Sequence, residues 1–224
     1  MNNPEAAMDS KSIWQRPSVI ALVLANLVPL FGVMFWHWEV FPLLLLFWSE
    51  NVIVGGFNVL KMLIATRQQS GIAAASGYFL IPFFCVHYGM FTLVHGVFVV
   101  AMFGGGLEHG FPSPAVFWSA IKDHGLQWAI LGLTFSHGIS FVHNFIMNGE
   151  FRKASPPLLM FQPYGRIFVL HITIIIGGGL MMLLGSPMIG LLILVLLKIG
   201  LDLAGHLRER IKFSQQAARE QTSL

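Results

Sequence analysis

Six stretches of this chain are apolar over the length of a bilayer crossing, and that limits what it can fold into more than any other feature. A helix rises 1.5 Å per residue, so ~20 mostly apolar residues cross a hydrocarbon core of ~30 Å. The segments that qualify are 18–36, 40–66, 77–103, 126–147, 160–184 and 187–212. The fourth apolar run begins earlier, near 115, and is too long for one span. Its first part, from Pro114 to Gly125, carries Lys122, Asp123 and His124 and reads as an interfacial helix leading into the span. Residues 1–17 and 213–224 are polar and read as a cytoplasmic segment and a cytoplasmic tail. The expected fold is therefore all-α, an integral membrane bundle of about six transmembrane helices in one domain. Composition agrees, because 55% of residues are apolar and only 10% are charged, against roughly 25% charged in soluble domains.

Charge placement orients the bundle. Lys11 and Arg16 precede the first span, Lys61 and Arg67 follow the second, and Arg152, Lys153 and Arg166 follow the fourth. Arg208, Arg210, Lys212 and Arg219 close the chain, whereas the odd-numbered connections carry almost no Lys or Arg. The positive-inside rule then puts both termini in the cytoplasm and requires an even number of spans. The formal charge of +3 is explained by this orientation, without nucleic acid as a partner. The polar start is not followed by a short apolar region with a cleavage site, so the first run reads as an uncleaved anchor. A single cysteine, Cys85, excludes an intrachain disulfide framework or a cysteine-based zinc site. Gly55-Gly56, Gly177-Gly178-Gly179 and Gly200 with Ala204 and Gly205 offer small surfaces for close helix approach. Trp36, Trp38, Trp48, Trp118 and Trp128 cluster at the inferred outer boundary as an aromatic belt.

Against this background the polar residues inside the spans stand out, since an Asp, Lys or Arg at a helix centre costs ~2.5–3.5 kcal/mol on insertion scales. The second span carries Glu50, Asn51, Asn58 and Lys61, and the third carries His87, Tyr88 and His95. The fourth carries His137, His143 and Asn144, the fifth His171, and the sixth Lys198, Asp202 and His206. By position along their helices, Glu50, Asn58, His87, His143, His171, Asp202 and His206 share one slab in the cytoplasmic half. His95 falls further out, and His37, His109 and His124 fall in water. Asp202 and His206 are four apart and point to one side of their helix, with Lys198 one turn away on the same stripe. His87 and His95 are off phase by one residue and need not serve one centre.

Imidazoles and carboxylates without thiolates suit a divalent transition metal such as zinc, iron or copper. The candidate ligands are Asp202, His206, His171, His143 and His87, with Glu50 as the general base. Asn51, Asn58, Asn144 and Lys198 would orient them. These residues point to a metal-dependent enzyme: an open coordination position would lower the pKa of a bound water to ~7 for a hydrolase, two metals with dioxygen would serve an oxidase, and the implied partners are the bilayer and a lipid or small apolar substrate. Three other readings draw on the same residues. A proton- or metal-coupled transporter would relay protons through histidines that titrate near neutrality, with His137, His95 and His109 continuing the path outward. Haem ligation would use two facing histidines such as His87 and His171. A scaffold would use the polar groups only to fix helix packing. No His-Glu-x-x-His, Gly-x-Ser-x-Gly, phosphate loop or dinucleotide fingerprint occurs, and the Gly-x-Ser-Gly nucleophile of a rhomboid-type protease is missing. No internal repeat is evident, which argues against an inverted-repeat transporter.

Four stretches carry a resemblance. They are Ala25-Asn26-Leu27-Val28-Pro29-Leu30, Phe47-Trp48-Ser49-Glu50-Asn51 with Asn58 and Lys61, His87-Tyr88-Gly89 with His95-Gly96, and Asp202-Leu203-Ala204-Gly205-His206-Leu207-Arg208-Glu209. In these the chain resembles a bacterial family of polytopic membrane proteins known as a domain of unknown function. The resemblance implies a multi-pass protein of the bacterial inner membrane and adds no activity.

Overall fold

In the computed structural model the described residues are 31–35, 38–105 and 113–177, with isolated positions 179, 183, 192, 193, 195, 196, 199 and 200. The chain divides into two compact units, Met1–Trp38 with Leu192–Leu224, and Glu39–Leu191. In the first, residues 31–35 are helical, the rings of Phe31 and Phe35 stack at 5.6 Å, and the Trp38 amide donates to the Gly32 carbonyl at 3.0 Å.

The second unit holds the chemistry and is all-α among its described residues. Its helices are α1 (Val40–Arg67), α2 (Gly71–Phe103), α3 (Pro114–Asp123), α4 (Gln127–Ser140), α5 (Pro156–Phe161) and α6 (Tyr164–Ile172). Helix α4 runs on into a π-helical stretch, Phe141–Met147, and α6 into another, Thr173–Gly177. Four helical stretches are long and apolar enough to cross a membrane: Val40–Arg67, Gly71–Phe103, Gln127–Met147 and Pro156–Gly177. Short α3 carries Lys122 near its end and precedes the α4 span, where the sequence places an interfacial helix. The expected spans 18–36 and 187–212, and with them Lys198, Asp202 and His206, lie outside the described residues, apart from the few positions given above.

Sequence explains why these helices cross a bilayer rather than fold in water. Trp128, Phe135 and Val86 are each more than 70% exposed, and α4 buries none of its residues. Apolar side chains left outside the protein on this scale need lipid around them. Helix α2 continues through Pro82, which a transmembrane helix tolerates when neighbours satisfy the freed carbonyl.

Helices α1 and α2 form an antiparallel pair joined by a three-residue turn, and Gly71 opens α2 at φ +58°, a conformation that favours glycine. Their contact is built on small residues facing large ones: Gly96 beneath Trp48, Gly55 beneath Tyr88, Gly77 beneath Thr66. Polar groups lock the same seam. Trp48 Nε1 donates to the Thr92 carbonyl at 2.7 Å, and the Tyr88 hydroxyl donates to the Asn51 carbonyl at 3.0 Å. Trp48 also stacks on Phe117 of α3 at 4.8 Å, so it is a packing residue as well as a belt aromatic. Met62, Phe84, Tyr88, Phe145, Leu159 and Ile167 then gather α1, α2, the π-helical stretch, α5 and α6 into one core.

The two adjacent glycines of α1 differ. A Cβ on Gly55 would meet Tyr88 Cε1 at 2.5 Å, whereas one on Gly56 meets nothing within 4 Å. Tyr88 is 4% exposed and hydrogen-bonded, so it cannot swing away. Gly55→Ala is expected to destabilise the detergent-solubilised protein by about 1–3 kcal/mol through overpacking. Gly56→Ala is expected to be neutral or mildly stabilising, since alanine is the better helix former. Thermal unfolding of the two variants side by side measures the difference.

Candidate functional site

The segment Phe47-Trp48-Ser49-Glu50-Asn51 places three polar side chains in succession on a helix that should be apolar. Two of them bond back to their own helix: Ser49 Oγ donates to the Leu45 carbonyl at 2.8 Å and Asn51 Nδ2 to the Phe47 carbonyl at 2.9 Å, while Asn51 Oδ1 is buried with no hydrogen-bond partner among the described residues. Such back-bonding four residues earlier is the usual fate of short polar groups in helices. Glu50 is different, because its carboxylate must find a cation or a proton elsewhere.

It finds Arg166 and His137. Arg166 Nη2 lies 2.5 Å from Glu50 Oε1, and His137 Nε2 lies 3.4 Å from the same oxygen. The Glu50 side chain is 13% exposed and that of Arg166 38%. All three come from spans: Glu50 sits about 5 Å from the midpoint of α1 at 1.5 Å per residue, and His137 and Arg166 stand about midway along Gln127–Met147 and Pro156–Gly177. The charges of Glu50 and Arg166 cancel, which removes most of the cost of placing either one there.

A cavity of about 110 Å³ adjoins the pair. Its polar wall is Asn58 and Lys61 of α1, His137 and Ser140 of α4, Gln162, and Arg166 of α6. Gln162 and Pro163 form the break between α5 and α6, and both face the cavity. Pro163 has no N–H to offer the Leu159 carbonyl, which accepts instead from the Gln162 amide at 3.2 Å and from Asn58 Nδ2 at 2.9 Å. The π-helical stretch begins at Phe141, also on the cavity wall; such widened turns are frequent at functional sites.

Two further polar pairs lie along α2. His95 Nδ1 is 2.5 Å from the Phe91 carbonyl oxygen, and its Nε2 is 2.8 Å from His171 Nδ1. A carbonyl only accepts, so the proton of neutral His95 is on Nδ1. Its Nε2 then accepts from His171 Nδ1–H, and the lone pair of neutral His171 is on Nε2. His87 Nδ1 shares a hydrogen bond of 2.7 Å with the Tyr164 hydroxyl, and its ring stacks on Phe83 at 5.3 Å.

The expected metal ligands thus divide. His171 pairs with His95, and His87 pairs with Tyr164. His143 lies exposed in the π-helical stretch, and its neighbour Asn144 donates to Ser140 Oγ at 3.2 Å. Glu50 is bound to Arg166 and His137. Asp202, His206 and Lys198 are outside the described residues. Among the described residues no group of three or more His, Cys, Asp or Glu is placed to hold a metal ion. His124 reaches Glu39 at 3.3 Å.

Three residues of the site escape the sequence reading: Arg166, Gln162 and Tyr164. Arg166 was counted with the inner-loop bases that set orientation, but it lies within a span. The signal for it was Glu50 itself, since a carboxylate at that position requires a cation from another span.

Removing one partner tests the pair. Arg166→Ala leaves Glu50 without its strongest counter-charge. It is expected to cost about 2 kcal/mol, below the ~3–5 kcal/mol of fully buried pairs because the guanidinium is partly exposed. Glu50→Gln combined with Arg166→Ala is expected to recover part of that loss, so that a double-mutant cycle on thermal unfolding gives a clear coupling energy. Additive losses would mean that the two side chains do not interact.

The chain belongs to a family of unknown function (DUF6498), whose model matches residues 8–219. No curated protein and no solved structure matches it.

Proposed function

We propose that this family member is a proton-coupled membrane carrier and that Glu50, His137 and Arg166 form its coupling site. The observation that carries the reading is the convergence of an acid, an imidazole and a guanidinium from three spans on one carboxylate oxygen beside a polar cavity. Ionisable groups placed so deep mark function more often than packing. The broken α5–α6 span supports the same reading, because carriers build midplane sites from discontinuous helices. The reading takes a six-span bundle in a bacterial inner membrane with both termini cytoplasmic.

The chemistry follows from charge. With Glu50 ionised, it neutralises Arg166 and the site is closed on itself. A proton delivered through His137, whose Nε2 faces the carboxylate, converts Glu50 to a neutral acid and deprives Arg166 of its counter-charge. A lone guanidinium in a span is costly, so the protonated site either changes conformation or takes in a compensating group. Return of the proton to the other side closes the cycle.

Reconstitution of the full chain in liposomes tests this with a pH-sensitive dye. Solute-dependent proton uptake is expected down a pH gradient, abolished by Glu50→Gln and strongly reduced by His137→Asn. No proton movement with any solute, anionic, neutral or cationic, would end the reading.

A second reading, an intramembrane metal enzyme acting on an apolar substrate, is favoured by one observation. The hydrogen-bond order from the Phe91 carbonyl through His95 leaves His171 Nε2 with its lone pair, the state in which a histidine binds a divalent metal while its other nitrogen is held. Asp202 and His206 would complete that site. Stoichiometric zinc, iron or copper in purified protein, lost on His171→Ala and on Asp202→Ala, is the result that this reading requires; metal-free protein after resupply would dismiss it.

A further inference from the structure

We propose that the cavity beside the Glu50–Arg166 pair binds an oxyanion, the carboxylate or phosphate group of the solute, and that Glu50 occupies Arg166 in its place when none is bound. The inference rests on the carrier reading for its coupling to protons but not for the binding itself.

The wall of the cavity has the composition of an anion site. Lys61 and Arg166 both line it, and among the described residues no Asp or Glu does. Lys61 is the informative residue. Among the described residues no carboxylate lies within ion-pair distance of it, and its ammonium stands 5.4 Å from the centroid of the Phe145 ring. It lies about 11 Å from the midpoint of α1, inside the ~15 Å half-thickness of a bilayer core. A cation so placed attracts a negative group. The neutral residues are donors as well. Ser140 Oγ accepts from Asn144, so its hydroxyl hydrogen is left to donate, and the Gln162 amide faces the same space. Helix α6 starts at the cavity, and the partial positive charge of a helix N-terminus adds to the field there.

Size and shape agree. One water needs roughly 10–15 Å³ of such volume, so 110 Å³ holds a group of several heavy atoms. Val54, Phe57, Phe141 and Pro163 supply an apolar wall for the carbon skeleton.

The anion and Glu50 therefore compete for one guanidinium. Protonation of Glu50 releases Arg166 to the anion, so one proton and one negative charge enter together. The titratable and charged groups around Glu50 among the described residues are His137 from α4 and Arg166 from α6, with Lys61 further along α1. The Arg166 guanidinium favours the ionised carboxylate until the anion replaces it.

The test uses full-length protein in uncharged detergent, titrated with inorganic phosphate and with acetate at constant ionic strength, by calorimetry and thermal shift. Binding is expected to be tighter at mildly acidic than at mildly alkaline pH, with uptake of a proton. Lys61→Gln is expected to weaken it roughly tenfold or more, as for loss of a charge-assisted hydrogen bond, while thermal stability without anion does not fall. Glu50→Gln, which mimics the protonated acid, is expected to bind more tightly and without pH dependence. If phosphate and acetate fail to bind at either pH, or if both variants bind as the wild type does, the inference is wrong. Repeating the titration in nanodiscs separates the sources. Binding blocked by phosphatidylglycerol but not by phosphatidylcholine assigns the site to a lipid phosphate, and binding retained in both assigns it to a free solute. Oxyanion binding without proton flux in liposomes would leave this site standing and end the carrier reading. Flux of neutral or cationic solutes without oxyanion binding would do the reverse.

Discussion

A carboxylate within an apolar helix cannot be left alone, and much of the second unit follows from how Glu50 is satisfied. An ionised acid there requires a cation, and the cation must come from another span, because the near neighbours of Glu50 on α1 are uncharged. Arg166 meets the need from a span that is broken just before it, between Phe161 and Tyr164. A continuous helix from Pro156 onward would have no turn at Gln162 and Pro163 to line the cavity. The break in turn requires donors for the end of α5, and Asn58, two turns along α1 from Glu50, is one of them. The ion pair, the helix break and the buried asparagine are thus one solution to one electrostatic problem, and the cavity is the space between them.

The apolar runs were legible because bilayer thickness imposes a length that no soluble fold imposes, and α1 and the short helix α3 stand where composition puts helices. The breaks were not. Residues 160–184 read as one segment, yet α5 ends at Phe161 and α6 starts at Tyr164, since Pro163 can stand in a helix or end one according to what its neighbours offer. Glycines were legible only in pairs. Gly55-Gly56 marks a packing surface, but only Gly55 meets another helix, and which of two adjacent residues faces inward depends on rotation about the helix axis.

The same limit governs the site. Phase along one helix is local and can be counted, which is why His87 and His95 were separable by sequence; the structure gives them different partners, Tyr164 and His171. Contact between helices depends on relative depth and rotation, which no single segment encodes. His95 and His137 ranked below His87 and His143 by estimated depth, yet His95 and His137 are the ones bonded to other members of the candidate set. Arg166 was hidden for a related reason: the rule that reads a base as an orientation signal takes no account of whether a buried acid waits for it.

A purely structural role would account for part of this arrangement. Ser49 and Asn51 bonded back to their own helix, Asn58 at the helix break and Tyr88 on the α1–α2 seam all do work that packing alone explains. The ion pair is less well explained, since a pair of well-packed apolar side chains in its place is often as stable or more so. Packing does not explain Lys61 at all. It neutralises no described carboxylate and its removal would spare the fold a desolvation cost, yet it stands on the same cavity wall as Arg166. A fold that needed only stability would gain by losing it, so its presence is best understood through something negative that enters the cavity.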